Sequence, residues 1–344
     1  MSRVFVCGAG AVSPAGWGLE PLRNALDARV PLPVSGIERP GWTKPLRARL
    51  VPAPASRPAF LAHPRLRRSS PITHYAAAAA LEALAGFRAK VGASARLGLI
   101  VCLQSGCVQY TYRFFGEALE NPATASPLLF PETVFAAPAS HVAALLENVP
   151  MASTLIGDPA IFGHALAQAA EWLAHDEVDA CLVVGAEEVN WLRADALWHL
   201  EHAAIITCGA GALCLTLDEA ASAGVELAAV TEARAYTARQ PRVEAARRMR
   251  ADLEGAGLRT TDLLCDGLGD SCRADAPEKA AWLEWPGARS SPKLVLGEGL
   301  MASSAWQCVA AFDAVARGGY HAAAASLVGC NQEAVGVRFK RTNA

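Results

Sequence analysis

The sequence predicts an α/β protein made of two successive strand–helix series with parallel strands. Three observations carry this. Short continuous apolar runs, at 97–103 and 180–184, have the length and composition of buried central strands. The segment 158–174 between them is apolar on most faces (Ile161, Phe162, Ala165, Leu166, Ala169, Trp172, Leu173), as a helix packed on several sides is. After about residue 220 the alternation of strand and helix begins again. Two such series point to a duplicated fold with halves 1–220 and 221–344. The halves share no visible sequence identity, so the duplication rests on pattern.

In chain order, residues 4–7 form a first short strand, ended by Gly8-Ala-Gly10 and the turn at Pro14. Residues 39–72 are different material: seven prolines make regular structure unfavourable. No acidic residue occurs from Arg39 to Leu81, while Arg39, Lys44, Arg47, Arg49, Arg57, Arg65, Arg67 and Arg68 are basic, so the stretch reads as a solvated basic flap. Ser69-Ser70-Pro71 starts a helix, with serine to cap and proline in the first turn, continued by 76–84. A strand at 97–103, a helix at 112–119, a Pro-rich loop at 121–138 and a helix at 140–146 follow. The long apolar helix 158–174 leads to strands at 180–184 and 209–217. The second series comprises strand 225–236, polar helix 242–255, strand 263–266, helix 276–282, strand 293–296, helix 303–316, and closing strands 322–327 and 334–339.

Composition narrows the function. The 344 residues suffice for a large core, and 52% are hydrophobic against 19% charged. A formal net charge of −2 gives no bulk attraction to nucleic acid or membrane. The 10 cysteines form no C-x-x-C pair and no His cluster sits at zinc-finger spacing, so they read as buried free thiols of a cytoplasmic protein, with no metal. The longest apolar run, 203–217, is too short to span a bilayer and is interrupted by Gly209 and Gly211. Gly8-Ala-Gly10 is not a dinucleotide fingerprint, because Ser13-Pro14 follows where the third glycine belongs. No cofactor is indicated.

Several ordered segments together resemble the β-ketoacyl synthase family. Val4-Phe-Val-Cys-Gly-Ala-Gly-Ala-Val-Ser-Pro is similar to its opening strand and turn; Ser126-Pro-Leu-Leu-Phe-Pro131-Glu-Thr-Val and Ala139-Ser-His-Val-Ala to the stretch before its nucleophile; Leu182-Val-Val-Gly-Ala-Glu-Glu188 and Gly209-Ala-Gly-Ala-Leu to the strands after it. The resemblance spans nearly the whole chain, with segments missing between Glu188 and Gly209 and in the second half. It implies a thiolase-like fold with a layered α-β-α-β-α core. It also implies an acyltransferase chemistry in which a cysteine thiolate at a helix start accepts an acyl group from a carrier thioester. Two histidines then assist malonyl decarboxylation and stabilise the oxyanion.

Carried over position by position, those groups are absent. His164 matches a histidine that the family places five residues after the nucleophile, which puts the nucleophile position at Pro159, or at Asp158 one residue earlier. The turn of the first histidine is Asp266-Gly267-Leu-Gly269. The lysine preceding the second is kept as Lys293, but Glu298 replaces the histidine itself, and the C-terminal glycine-rich loop is reduced to Leu327-Val-Gly329-Cys-Asn331. A carboxylate cannot replace a thiolate in thioester exchange, and ionised carboxylates cannot donate to an oxyanion.

The resemblance therefore implies no intact catalytic site. It implies a role like that of a chain-length factor: a non-condensing partner that pairs as a heterodimer with an active ketosynthase and meets a phosphopantetheine-bound acyl carrier protein. Type II polyketide systems, including those making aryl polyene pigments, use such pairs. Arg65, Arg67 and Arg68 are the candidate carrier-docking residues. Asp158-Pro159 also has a structural reading as helix N-cap and first turn, His164 as a core histidine, and Lys293 with Asp266 and Glu298 as a charge network filling the old site. Two further readings stay open: a repurposed hydrolase or acyltransferase using Asp158, His164 or Glu298, and an acyl-binding or scaffold homodimer.

Overall fold

The computed structural model describes residues 3–271 and 273–342. The first series runs β1 (Phe5–Ser13), β2 (Gly16–Trp17), α1 (Leu19–Ala28), β3 (Ser35–Ile37), β4 (Leu46–Arg49), α2 (Pro71–Val91), β5 (Leu97–Leu103) and α3 (Val108–Glu120). It continues through α4 (Ala137–Leu146), β6 (Met151–Ile156), α5 (Ile161–Ala174), β7 (Ala180–Glu187), α6 (Trp191–Leu200), β8 (Ile206–Thr207) and β9 (Gly209–Thr216). The second runs β10 (Val225–Val230), β11 (Arg234–Ala235), α7 (Arg242–Gly255), β12 (Leu263–Cys265), α8 (Ala276–Ala281), β13 (Arg289–Ser290), α9 (Pro292–Leu296), α10 (Met301–Ala316), β14 (Ala322–Val328) and β15 (Glu333–Arg341).

The sheet order exposes the repeat. Outward from the centre, one side reads β1-β9-β7-β5-β6 and the other β10-β15-β14-β12-β13. Taking the five main strands of each series in chain order, both sides read first, fifth, fourth, second, third. The expectation of parallel strands holds only at the outer positions, where β5 pairs with β6 and β7, and β12 with β13 and β14. The inner pairs, from β7–β9 through β1–β10 to β14–β15, are antiparallel.

Side-chain alternation builds the layers. Leu97, Leu99, Val101 and Leu103 of β5 pack with α2 and α4, whereas Ile100 and Cys102 face the opposite cluster containing α5 and α10. In the second half Leu264 and Ala324 join α7 and α8, while Cys265, Ala323 and Ala325 face the central cluster. Helices α5 and α10 touch strands of both halves and so form the middle layer. The result is the layered α-β-α-β-α core.

Several elements differ from the sequence expectation. β1 does not end at Gly8; it continues to Ser13, because the glycines serve helix–strand contact. A Cβ on Gly8 or Gly10 would collide with the carbonyl oxygens of Ala83 and Ala79 in α2. The basic stretch is not merely a solvated flap. Its β4 pairs with β3 and β8, and Arg39 is buried against Asp195 (2.5 Å) with its guanidinium 3.8 Å from the Trp42 ring and 5.2 Å from that of Trp198. Arg49, also buried, donates through Nε to Leu32 O at 2.8 Å. α4 starts at Ala137, with Pro138 accommodated in its first turn. The strand expected over 225–236 breaks into β10 and β11. The strand expected at 293–296 is the short helix α9, begun by Pro292.

Eight of the described cysteines are buried and free; Cys330 is free and partly exposed, and Cys272 lies outside the described residues. Among the described residues no helix is long and apolar enough to cross a membrane, and no cluster of His, Cys, Asp and Glu is arranged to hold a metal.

Candidate functional site

Of the positions the resemblance singles out, Glu298 lines a pocket of about 430 Å³, together with Arg193, Arg242, Leu300, Cys330 and Asn331. Its wall comes from α6 and the segment after it, the turn from α9 into α10, and the β14–β15 connection; Asp158, Pro159, His164, Asp266 and Lys293 do not line it.

Asp158 is buried but is not the cap of α5, since Ala160 occupies that position. Its Oδ1 accepts from Ala160 N at 3.2 Å, and its Oδ2 accepts from Asn331 N at 3.1 Å and Gln332 N at 2.8 Å. The carboxylate thus ties the α5 approach to the β14–β15 loop, some 170 residues later. A Cβ on Gly329 would overlap this carboxylate, so the loop needs glycine there to come so close. Pro159 fills the turn before α5, where Ile161 N donates to Asp158 O at 3.0 Å.

His164, one turn into α5, is not a core histidine: its side chain is 42% exposed and its Nε2 lies 2.5 Å from Glu333 Oε1. Hydrogen bonding to Glu333 raises its pKa above the ordinary histidine value, against the opposing effect of burial.

Lys293 and Glu298 meet, Nζ to Oε2, at 2.7 Å. Burial disfavours the Lys293 ammonium, but Glu298 and Asp275 outweigh it and hold the amine above the ordinary lysine range. Glu298 Oε1 also accepts from Leu300 N at 2.8 Å. That bond fixes Leu300 with φ 50°, a left-handed conformation unfavourable for leucine, as the entry to α10. Both carboxylate oxygens of Glu298 are therefore engaged.

Asp266 does not bond to Lys293 as the expected network had it. It is fully buried, with Oδ1 accepting from Ser291 Oγ at 2.5 Å and Oδ2 lying 3.4 Å from Arg289 Nη1. Burial still raises its pKa, more than Ser291 and Arg289 lower it. Glu278, which sequence reasoning missed, accepts from Gly267 N at 3.0 Å and Ser326 Oγ at 2.5 Å. Burial and the negative charge of Asp266 push its carboxyl up to about 8. Asp275 accepts from Gly269 N at 2.7 Å and Ser271 N at 3.2 Å, holding the turn of the first histidine position closed. The Asp275-Ala-Pro-Glu278 spacing at the start of α8 was the signal available in the sequence, since an aspartate at the cap followed three residues later by glutamate marks a helix start.

Two arginines complete the lining, and neither was singled out from sequence. Arg193 of α6 is buried, 3.7 Å from Glu187 Oε2, with its Nε and Nη2 unpartnered. Arg242 at the start of α7 donates to Ala274 O at 2.7 Å and Gly329 O at 3.2 Å, and its Nε is unpartnered. A second groove of about 590 Å³, between α3 and α6, shares Ser105, Arg193 and Ala196 with the first. Arg65, Arg67 and Arg68 lie elsewhere, exposed around the 3₁₀ turn Pro64–Leu66, with no carboxylate partner among the described residues.

The site can therefore bind and orient, but no thiolate stands at the α5 approach and no imidazole at the two turns. Asp158 and Glu298 are occupied by hydrogen bonds and an ion pair.

No family model and no curated protein matches the chain. Solved structures do. A β-ketoacyl synthase from Burkholderia phymatum matches with a TM-score of 0.83 at 20% identity, over 100% of each chain. The ishigamide ketosynthase/chain length factor matches at 0.83 and 18% identity, over 99% of this chain and 100% of that one. A structure of a type II polyketide acyl-carrier protein in complex with its ketosynthase bound to the hexaketide matches at 0.79 and 15%, over 99% of each. The chain has the thiolase-like fold of these ketosynthases.

Proposed function

We propose that the chain is a non-condensing, chain-length-factor-like partner of an active β-ketoacyl synthase, working in the cytoplasm in a type II polyketide or fatty-acid-like pathway. The observation that carries this reading is the state of the three inherited positions. Asp158, Asp266 and Glu298 each spend their carboxylate on local backbone, hydroxyl or cationic groups, which preserves the fold and leaves no nucleophile or oxyanion donor at those three positions. The same observation disfavours hydrolysis by Asp158 or Glu298.

The surface supports a partner. α3 and the segment after it expose Tyr112, Phe115, Leu119, Leu128 and Phe130, with Phe114 and Phe130 in ring contact at 5.5 Å. Exposed apolar groups gathered this way mark an interface. β6 is an edge strand paired only with β5, and its Ile156 is 52% exposed. Such an edge invites pairing with another chain. The groove between α3 and α6 would carry an acyl chain from the pocket toward that surface. The likeness to a ketosynthase/chain length factor structure agrees with this role.

The test is reconstitution with a ketosynthase encoded beside this chain and its acyl carrier protein. A stable heterodimer, with product only when both chains are present, is expected. Condensation by this chain alone would overturn the reading. Thioester hydrolysis by the lone chain, lost in Asp158→Ala or Glu298→Gln, would replace it with the hydrolase reading. A homodimer that ignores the ketosynthase would replace it with the scaffold reading.

A further inference from the structure

A separate cavity of about 180 Å³ lies between the segment 39–47 and α6, and none of the positions that the resemblance singles out lines it. Its walls are aromatic: Trp42, Trp198 and His202, with the Trp198 and His202 rings 4.3 Å apart. Arg39 holds these walls in place. Its guanidinium lies 3.8 Å from the Trp42 ring and 5.2 Å from the Trp198 ring, and is tied to Asp195 Oδ1 at 2.5 Å. Trp42 is thus braced from one side while remaining 59% exposed. A braced, exposed indole is preorganised for stacking, because little side-chain freedom is lost when a second ring lands on it.

Lys44 and Arg47 line the same cavity. Both are exposed, and neither meets a carboxylate within ion-pair reach among the described residues. No Asp or Glu is among the described residues lining the cavity. These features choose between ligands. Aromatic walls by themselves suit a cation. Here Arg39 already takes that place, and Lys44 and Arg47 repel a second positive charge. A planar ring carrying negative charge is the complement of what remains. At about 180 Å³ the cavity falls below the roughly 300–1,000 Å³ of pockets that enclose a whole drug-sized ligand. It therefore takes one ring system and leaves the rest of the ligand outside. Two unpaired cations, one of them an arginine, suit the several oxygens of a phosphate group better than a single carboxylate.

We propose that this cavity is a purine nucleotide site, in which the base stacks on Trp42 and Trp198 and the phosphates meet Lys44 and Arg47. The site binds without making or breaking a covalent bond. It goes beyond the partner role proposed above and does not depend on it, since every residue it uses belongs to this chain and none belongs to the α3 surface or the β6 edge.

The experiment titrates ADP into the full chain alone by isothermal titration calorimetry, at low and at high salt. Saturable one-to-one binding is expected, weakening as salt rises. Trp42→Ala should lower the affinity about tenfold, as loss of one stacking surface requires. The double reversal Lys44→Glu/Arg47→Glu should lower it by about tenfold or more. All three side chains are exposed, so both variants should fold, which far-UV circular dichroism checks. Absence of saturable binding, or an ADP affinity unchanged in the folded variants, overturns the proposal. Adenosine, pyrophosphate and benzoate are titrated beside ADP, and each is expected to bind at least about tenfold more weakly, because each offers only part of the complement. Pyrophosphate binding as tightly as ADP would make this a phosphate site without base recognition. Adenosine binding as tightly would remove the phosphate contacts, and benzoate binding more tightly would make it an aryl carboxylate site; any of the three overturns the nucleotide assignment.

Discussion

The ammonium of Lys293 lies 2.7 Å from the carboxylate of Glu298, with the two side chains only 10% and 12% exposed. The pair occupies the lysine and second-histidine positions of the resemblance, and its carboxylate also sets the backbone of Leu300. Removing one member leaves the other buried without its charge partner. Glu298→Ala is expected to destabilise the fold by about 3 kcal/mol, at the lower end for a broken buried pair because Asp275 also acts on Lys293. The double variant Lys293→Met/Glu298→Leu is expected to recover most of that loss. Urea unfolding measures both; a Glu298→Ala midpoint unchanged from the parent would refute the structural role.

Asp158 is a clamp between two distant segments. Asp158→Ala strands the N–H groups of Asn331 and Gln332, at a cost of about 1–3 kcal/mol. Hydrogen exchange at those two amides should accelerate more than at β15. Asp158→Cys is expected to yield no condensing activity, because Asp266 and Glu298 still offer no imidazole; measurable β-ketoacyl product from that variant would contradict the account of the site.

Glu278 makes stability depend on pH. Its folded-state pKa, about 8, lies above that of an unfolded glutamate, so the folded protein keeps a proton that the unfolded chain releases. Stability from this group is highest below the ordinary glutamate range, falls as pH rises, and levels off above about 8, by at most about 1.4 kcal/mol per pH unit. Glu278→Gln can still accept from Gly267 N and Ser326 Oγ, and should flatten the dependence. Urea midpoints at about pH 5.5 and about pH 8.5 test this; equal slopes in parent and variant would reject it.

Arg65, Arg67 and Arg68 are exposed cations with no described counter-ion. If they dock an acidic carrier protein, the triple reversal to glutamate should weaken carrier binding by about tenfold or more, with the parent's affinity falling as salt rises. The variant should fold normally, since none of the three is buried. Carrier affinity unaltered by the reversal, measured by surface plasmon resonance, would move the docking surface elsewhere.

Legibility followed the range of the interactions. β5 was read correctly at 97–103 and α7 at 242–255, because one is a continuous apolar run and the other a long polar helical segment. α9 has the pattern of a strand in sequence: with five residues it shows less than two turns of periodicity, and Lys293-Leu-Val-Leu fits either pattern. β1 extends past the point the sequence suggests because glycines usually punctuate a strand, whereas here they admit α2. Arg193 and Arg242 carry no local pattern that distinguishes a pocket arginine from a surface one.

The sequence by itself determined most of the succession of strands and helices and the duplicated α/β class, which follow from residue identity and local periodicity. Its resemblance to β-ketoacyl synthases implied the absence of thiol and imidazole at three positions. The tertiary structure alone decided what the replacing carboxylates do. Asp158 meets Asn331 and Gln332, Asp266 meets Ser291 and Arg289, and Glu298 meets Lys293. The physical reason is that a buried carboxylate must find donors or a cation, and its choice depends on which loops the packed layers bring within hydrogen-bond reach.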